Sequence, residues 1–498
     1  ETLEAKGISD SHLRHAVTYA LSRIGNPEAL GKLANHPSSD VRLGAVVALR
    51  HLRSPHLASY LLDKEALVAT EAAMAIHDDH SVMESLAALS EQLTETTGHN
   101  EAFLRRAINA NLRIGTSACA NRLVIYAKSE SAPLEMRLDA LWALGYWPAP
   151  PLLDRVEGRY RELPRRDAGK AIAALSPHLD DLLASPNEIR AATLELIGRL
   201  SYSETEETVA SFFKDQQQPV TVRLKALGAI IDLAGSQVNA SIRLALGSDD
   251  QTIRELALEK IEHLGIPADQ KVSLLEIALQ EGSNPEKQKA LRSLGIHKSA
   301  QATSVLNAWL DQLDAKSAPP ELHLDILEAA QKNGDADLIN RVDSYFSNSD
   351  GLMASYASSL YGGNASVGRR IFYRNPLVQC IRCHQVDARG GEVGPDLSHI
   401  AKELDREELL ASMVEPNARI APGYGNTLIT LVDGSQMAGT IREGNDTIQI
   451  YQANGEVKVV LAKEVKSRED LPSAMVPVIT MLSRSEIRDL VEFLTTLK

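Results

Sequence analysis

A short apolar motif recurs about nine times between Leu13 and Leu294, at intervals of about thirty residues. Most copies join an apolar residue to arginine and continue with small and apolar residues, as in VRLGAVVAL from Val41 and VRLKALGAI from Val222. Apolar positions spaced by three, four and seven predict an amphipathic helix, and a second apolar helix such as TSVLNAWLDQL follows. Because such a helix pair buries its apolar face only against neighbouring pairs, this period predicts an α-solenoid.

The character of the sequence changes near residue 350, where the segment SNSDGLMASYASSLYGGNASVG is rich in Ser, Gly and Asn. This composition breaks the helical period and indicates a domain boundary. The motif before the boundary resembles HEAT repeats, and the recurring arginine in the first turn of the helix suits that family. We therefore expect a mainly α fold with a HEAT-like α-solenoid over residues 1–348.

Between residues 425 and 468 the apolar residues alternate with a period of two. The runs NTLITLV and SQMAGTIRE flank Asp433–Gly434, and DTIQIYQ and EVKVVLAKEV flank Asn454–Gly455. Such dipeptides between alternating runs predict β-hairpins. The segment 425–468 is thus predicted to be a small β-barrel or sheet of about four or five strands. The chain then returns to helix in SRSEIRDLVEFLTTLK.

The motif with the most specific chemistry is Cys380-Ile381-Arg382-Cys383-His384. Two thiols at this spacing can add to the two vinyl groups of one haem, and the adjacent histidine then lies beneath the iron. A zinc half-site would need a second ligand pair, and a redox dithiol would need a βαβ context. The predicted neighbours are helical and hold no further cysteine. We expect one covalent haem c with His384 as an axial iron ligand.

The segments around this motif complete the expected haem site. Gly394-Pro395-Asp396-Leu397 resembles the Gly-Pro-x-Leu segment of single-haem cytochromes c. In those proteins the proline carbonyl accepts a hydrogen bond from the histidine Nδ1–H, and the leucine packs on the haem. Pro395 and Leu397 are therefore expected cofactor contacts. The helix that carries Gly368 and Phe372 is expected to cross the terminal helix.

The sixth iron ligand is expected to be Met475, in the Pro-flanked segment LPSAMVP before the last helix. Cytochromes c supply their distal methionine from that position. Met481 is the next candidate, and Met413 and Met437 stay open, although most methionines only fill cores. His399 is a further alternative, but it follows the Gly-Pro-x-Leu segment closely on the proximal side.

Taken in order, QCIRCHQV, GGEVGPDL, EPNARIAPGYGN, LVDGSQMAGTI, LPSAMVP and SRSEIRDLVEFL resemble the haem-binding CxxCH domain of planctomycetes and verrucomicrobia. The resemblance covers residues 368 to 498 and implies a class-I-like cytochrome c with a β-insert, which often follows HEAT-like repeats. It implies a haem domain of residues 349–424 and 469–498 around the insert 425–468. Family members often read Met-Pro-Pro-Met where this chain has Met475-Val476-Pro477-Val478, and the first methionine is kept.

The expected function is one-electron transfer, with the solenoid as a docking scaffold that holds the haem near a donor. The expected donor is a periplasmic dehydrogenase domain or subunit, and the expected acceptor is a cytochrome or an oxidase. Many family members carry a dehydrogenase-like β-propeller that this sequence lacks, so that activity is not carried over. Two alternatives stay open: a five-coordinate haem enzyme or sensor for peroxide or a gas, and an interaction scaffold with a structural haem.

Charge and hydropathy limit the classes of binding partner and the cellular location that we expect. A formal net charge of −14 without a basic stripe argues against binding to nucleic acid. No apolar run approaches the roughly 18–20 residues that a membrane span needs. Because haem is normally attached to CxxCH motifs outside the cytoplasm, we expect a periplasmic or otherwise exported protein, directed there by a segment outside this sequence.

Overall fold

The computed structural model describes residues 3–4, 10–79, 81–94, 100–452 and 455–498. The chain separates into two compact units, Glu1–Lys260 and Ile261–Lys498. Helices dominate, and a small sheet lies near the C-terminus, which confirms the predicted mainly α class. No helix in the described part of the chain is long and apolar enough to cross a membrane. The domain limits expected at residues 348, 425 and 468 stay predictions.

The first unit is mainly helical, apart from an irregular segment at residues 146–168. Its α-helices are α1 (Ser11–Ile24), α2 (Pro27–Lys32), α3 (Ser39–Leu52), α4 (Ala66–His77), α5 (Met83–Glu91), α6 (Glu101–Ile114), α7 (Ser117–Lys128), α8 (Leu134–Gly145), α9 (Gly169–Leu175), α10 (Leu179–Ala184), α11 (Asn187–Leu200), α12 (Glu206–Lys214), α13 (Val220–Leu233), α14 (Val238–Leu246) and α15 (Gln251–Lys260).

The copies of the recurring motif in this unit lie on α1, α3, α4, α6, α8, α11, α13 and α15. Consecutive motif helices contact each other along the chain, from α1 with α3 through to α13 with α15. The intervening helices pack beside them, as α5 does on α6, α7 on α8 and α12 on α13. Each motif helix therefore buries its apolar face against its neighbours in the sequence.

Three of the recurring arginines share a structural role. Arg137 Nε donates to the carbonyl of Ala127 at 2.7 Å, and Arg223 Nε donates to that of Phe213 at 3.1 Å. Arg190 Nε donates in the same way, at 2.7 Å, to a carbonyl in the last turn of α10. Backbone carbonyls in the last turn of a helix have no intrahelical partner. Each of these three arginines thus caps the helix that precedes its own.

The second unit joins further helices to the C-terminal segments. Its α-helices are α16 (Ala268–Glu281), α17 (Asn284–Leu294), α18 (Ala300–Asp314), α19 (His323–Asn333), α20 (Ala336–Ser347), α21 (Leu352–Ser355), α22 (Ala365–Arg374), α23 (Arg406–Val414) and α24 (Arg484–Leu494). Helix α17 contacts α16 and α19, and α19 contacts α18 and α20.

Helices α22 and α24 cross at Gly368, as expected from the sequence. A Cβ atom on Gly368 would overlap the carbonyl oxygen of Asp489, so only glycine allows this close approach. The rings of Phe372 and Phe493 lie next to the crossing, with centroids 5.6 Å apart, and both are buried. The crossing therefore fixes the helix that leads into the CxxCH motif against the terminal helix.

The terminal helix α24 and the segment before α22 are both bonded to helices that precede them in this unit. Arg488 Nη1 of α24 donates to Asp325 Oδ2 of α19 at 2.6 Å, and both side chains are almost fully buried. Gln288 Nε2 of α17 donates to the carbonyl of Gly362 at 2.9 Å. Removing one partner of a buried ion pair strongly destabilises a fold, because the remaining charge stays buried.

The described part of this unit also contains seven short strands: β1 (Gln385–Val386), β2 (Arg389–Gly390), β3 (Asn426–Leu431), β4 (Gln436–Glu443), β5 (Thr447–Tyr451), β6 (Val457–Leu461) and β7 (Val465–Leu471). Strands β1 and β2 form a hairpin, and the others form an antiparallel sheet in the order β6-β5-β4-β3-β7. Its core contains Ile429, Ile448, Ile450 and Val460.

The predicted β-segment is therefore a five-stranded open sheet rather than a barrel, because β6 and β7 lie at opposite ends of its strand order. The expected turn at Asp433–Gly434 joins β3 to β4, with Gly434 in the left-handed region at φ 86°. In the second expected turn, Asn454 lies outside the described residues. Strand β7 continues to Leu471, three residues beyond the segment expected from the sequence.

Candidate haem site

The CxxCH motif follows α22 through a tight turn. Gln379 adopts a left-handed conformation with φ 42°, and Cys380–Arg382 form a 3₁₀ helix. The backbone amides of Cys383 and His384 both donate to the carbonyl of Cys380, at 3.1 and 3.0 Å. Cys380 is half-buried and Cys383 is exposed. The turn therefore holds both thiols and the imidazole within one compact segment.

The glycines after the motif pack directly against it. The amides of Gly391 and Gly394 donate to carbonyls of the motif at 2.9 and 2.7 Å. A Cβ atom on Gly390 or Gly391 would overlap backbone atoms of the motif. Close backbone approach, and not loop flexibility, is the physical reason that this segment is rich in glycine.

The imidazole of His384 is oriented by the predicted proline. Its Nδ1 lies 3.0 Å from the carbonyl oxygen of Pro395. Because a carbonyl only accepts, Nδ1 carries the proton and the lone pair is on Nε2. Burial lowers the pKa of His384, while the hydrogen bond to Pro395 acts in the opposite direction. The ring is therefore a neutral imidazole whose Nε2 can bind iron.

Neither thiol has the environment of a reactive thiolate or of a zinc ligand. Burial raises the pKa of Cys380 to about 11, and it also raises the pKa of Cys383. Within the described ranges, neither thiol belongs to a group of three or more His, Cys, Asp or Glu ligand atoms lying within 4.8 Å of one another. A redox dithiol needs a lowered pKa, and a zinc site needs further ligands. Both alternatives to haem attachment are thus disfavoured.

Met475 lies on the same hydrophobic cluster as the motif. Buried residues of α22, α23 and α24 form this cluster, and the half-buried side chains of Cys380, Leu397 and Met475 pack against it. Haem is a flat and largely apolar macrocycle. It can cover a surface of half-buried apolar side chains next to an imidazole that has a nitrogen available. The residues present therefore fit a haem group.

The other candidate ligands are placed differently. Met413 is buried in the interior of the cluster, and Met437 packs against the core of the sheet. His399 is exposed, and Met481 is half-buried immediately after the 3₁₀ helix Val478–Thr480. Met413 and Met437 thus act as core residues.

Asn417 contributes to the site in a way that sequence reasoning missed. Its Oδ1 accepts from the backbone amide of Ser473 at 2.7 Å, and Ser473 Oγ accepts from the amide of Met475 at 3.2 Å. Asn426 Nδ2 donates to the carbonyl of Pro472 at 3.1 Å. These bonds hold the segment that carries Met475. Asn417 and Asn426 both lie in EPNARIAPGYGN, a segment that contributes to the family resemblance without itself indicating this role.

Exposed cations lie on and around the motif. They are Arg369, Arg370 and Arg374 on α22, Arg382 in the motif and Arg389 on β2. No ion pair between described residues involves any of these five side chains. Leu377, between α22 and the motif, is 64% exposed. A cationic surface with an apolar residue beside it is thus present in a chain of net charge −14.

Comparison with known proteins agrees with this geometry. Residues 365–440, from the start of α22 into β4, match the family Cytochrome c. Comparison with curated proteins gives no match. Among solved structures, human deoxyhypusine hydroxylase in complex with glycerol is 15% identical and covers 55% of this chain and 93% of its own. Its TM-score of 0.23 is too low to support a conclusion.

The family match and the donor set point to the same cofactor. The match covers α22, the CxxCH motif, the glycine-rich loop and Pro395, which are the elements that orient His384. Proteins of this family bind haem c and transfer electrons. Residues 365–440 are therefore a haem-binding cytochrome c domain.

Proposed function

We propose that this chain is a c-type cytochrome module that carries one haem, attached by thioether bonds to Cys380 and Cys383. His384 Nε2 and the thioether of Met475 would hold its iron, and Leu397 would pack on the ring. Bound in this way, the haem supplies one-electron chemistry. The chain's own residues supply attachment, ligand orientation and an apolar environment.

The observation that carries this proposal is the 3.0 Å hydrogen bond between His384 Nδ1 and the carbonyl of Pro395. When one ring nitrogen of a histidine binds a metal, a hydrogen bond from the other nitrogen fixes the tautomer and makes the ligand more basic. The bond fixes the tautomer in which the lone pair is on Nε2, and the raised pKa of each thiol gives no support to zinc or dithiol chemistry.

The helical region is proposed to be a HEAT-like α-solenoid over residues 1–348 that docks the donor. The row of contacts between consecutive motif helices and the repeated arginine caps support this proposal. The haem domain is proposed to comprise 349–424 and 469–498, interrupted by the β-insert 425–468. The protein is proposed to be periplasmic or otherwise exported, in keeping with its resemblance to the planctomycete and verrucomicrobial domain.

The redox partners are proposed to be a dehydrogenase domain or subunit as donor and a cytochrome or oxidase as acceptor. The arginines on α22 and around the motif form no ion pair with a described residue, which supports docking of at least one acidic partner there. Opposite charges accelerate the encounter of two proteins, and salt screens this attraction. Electron exchange with an acidic partner should therefore slow as ionic strength rises.

Covalent haem attachment tests the proposal most directly. Wild-type protein should keep its haem stain after denaturation, and acid–acetone should not extract the haem. The double variant Cys380→Ser with Cys383→Ser should lose the stain. Cys119→Ser is the matched control, because this buried cysteine lies in α7 of the first unit. Extraction of haem from the wild type would overturn the proposal.

Ligand binding and electron exchange test the two alternatives. A haem held by His384 and Met475 should resist carbon monoxide in the reduced state and exchange electrons rapidly with small redox dyes. Immediate binding of carbon monoxide by the wild type would favour the five-coordinate enzyme or sensor. A haem that resists carbon monoxide but exchanges electrons slowly would favour the structural-haem scaffold.

A further inference from the structure

The loop that orients the axial histidine is held from two sides. We call residues 392–395 the proximal loop. On the motif side, the amide of Gly394 donates to the carbonyl of Cys383 at 2.7 Å, and Pro395 accepts from His384 at 3.0 Å. On the other side, Thr440 Oγ1 of strand β4 donates to the carbonyl of Val393 at 3.3 Å. The sheet therefore contacts the loop that holds the ligand.

A single peptide group receives both contacts. The carbonyl of Val393 and the amide of Gly394 belong to the same peptide plane, and in a trans peptide they point in opposite directions. Thr440 therefore holds one edge of this plane while Cys383 holds the other. Thr440 is only 2% exposed, so water does not readily replace its hydroxyl. The rotation of this plane sets the direction in which the chain enters Pro395.

Arg442, two residues further along β4, reinforces the contact. Its Nη2 donates to the carbonyl of Glu392 at 3.4 Å, and its Nη1 donates to the hydroxyl of Tyr451 at 3.2 Å. Its guanidinium lies 4.5 Å from the ring centre of Tyr451 and 5.9 Å from that of Tyr424. Contact with two aromatic rings restricts the guanidinium, so its contact with the loop is directional.

We propose that strand β4 positions the axial histidine through the proximal loop, with Thr440 and Arg442 as positioning residues, and that the inserted sheet thereby sets the reduction potential of the haem. This inference rests on the proposed haem function. A shorter, better-aligned bond from Nδ1 to Pro395 makes the imidazole a more basic ligand, which stabilises ferric iron. Loosening the loop should therefore shift the equilibrium toward ferrous iron.

The test compares single-hydroxyl variants by redox titration of the haem-loaded chain. Thr440→Val keeps the shape of the side chain and removes its donor. At a fixed solution potential, it should shift the ferrous-to-ferric ratio by about threefold to tenfold. A tenfold shift corresponds to about 59 mV for a one-electron couple. Thr440→Ser keeps the hydroxyl and should restore the wild-type ratio. The matched control is Thr427→Val, because Thr427 is equally buried in the neighbouring strand β3 and points to the opposite face of the sheet.

A second pair of variants covers the case in which Thr440→Val does not fold. Arg442→Gln changes a partly exposed side chain and should shift the ratio in the same direction. Arg468→Gln removes an arginine of β7 that pairs with Glu443, and should not shift it. If Thr440→Val and Arg442→Gln keep the wild-type ratio, the positioning role is wrong while the cytochrome function stands. Absence of covalent haem in the wild type would instead refute the proposed function itself.

Discussion

The replacement Gly394→Ala tests whether close packing of the proximal loop orients His384. A Cβ atom at this position would lie 2.6 Å from Cε1 and 2.8 Å from Nδ1 of the imidazole, whereas ordinary contacts begin at 3.4 Å. The ring or the loop must therefore move by about 0.8 Å, the difference between 3.4 and 2.6 Å. Gly394 is not in the left-handed region, so alanine is compatible with its backbone and the contact alone causes the effect.

The expected cost follows from this displacement. A movement of this size pulls Nδ1 out of hydrogen-bonding range of Pro395 or strains the loop. Overpacking costs about 1–3 kcal/mol, and loss of one hydrogen bond costs about 1 kcal/mol more. We expect Gly394→Ala to lower the free energy of unfolding of the haem-loaded chain by about 2–4 kcal/mol, and to make the reduced iron accessible to carbon monoxide.

Denaturant titration and carbon monoxide difference spectra measure the two effects. Gly425→Ala is the matched control, because no heavy atom of the described residues beyond its chain neighbours lies within 4 Å of a Cβ there, and its φ is not in the left-handed region. The reasoning fails if Gly394→Ala and Gly425→Ala unfold within about 0.5 kcal/mol of each other. It also fails if Gly394→Ala lowers stability while the iron stays closed to carbon monoxide, since the imidazole would then be undisturbed.

Three further predictions concern the second ligand, the buried ion pair and the domain limits. Met475→Ala should abolish the weak long-wavelength absorption of iron–thioether bonding and lower the potential, whereas Met481→Ala should leave both unchanged; the reverse pattern would move the ligand to Met481. Arg488→Met should lower the free energy of unfolding by about 3–5 kcal/mol in a denaturant titration, because the buried Asp325 would keep only the exposed Arg292, at 3.7 Å, as a counter-charge; a loss below about 1 kcal/mol would contradict this. A fragment of residues 349–498 should carry haem but unfold at lower denaturant than a fragment of residues 261–498, because the bonds to α17 and α19 are lost; equal midpoints would show that those helices do not support the haem domain.

Local patterns in the sequence predicted much of this protein. The period of the apolar positions predicts the motif helices, and Asp433–Gly434 predicts the first hairpin, because both depend on neighbours a few residues apart. The CxxCH motif and Pro395 are separated by only eleven residues, so their relation could be expected from spacing and family resemblance. The recurring arginine is a pattern of the sequence, but the capping role of Arg137, Arg190 and Arg223 depends on the position of the preceding helix.

Contacts between distant segments were decided only by the tertiary structure. Arg488 and Asp325 are 163 residues apart, and Thr440 and Val393 are 47 residues apart, so no periodicity marks either pair. The several methionines are chemically equivalent in the sequence. Only packing separates Met475, half-buried against the cluster that Cys380 also contacts, from Met413 inside that cluster and from Met437 against the core of the sheet. The sequence by itself determined the helices, the hairpin and the chemistry of the haem motif, since these follow from local spacing. The tertiary structure decided which loop orients the imidazole and which strand supports that loop, because burial and hydrogen bonding between remote residues depend on how the whole chain packs.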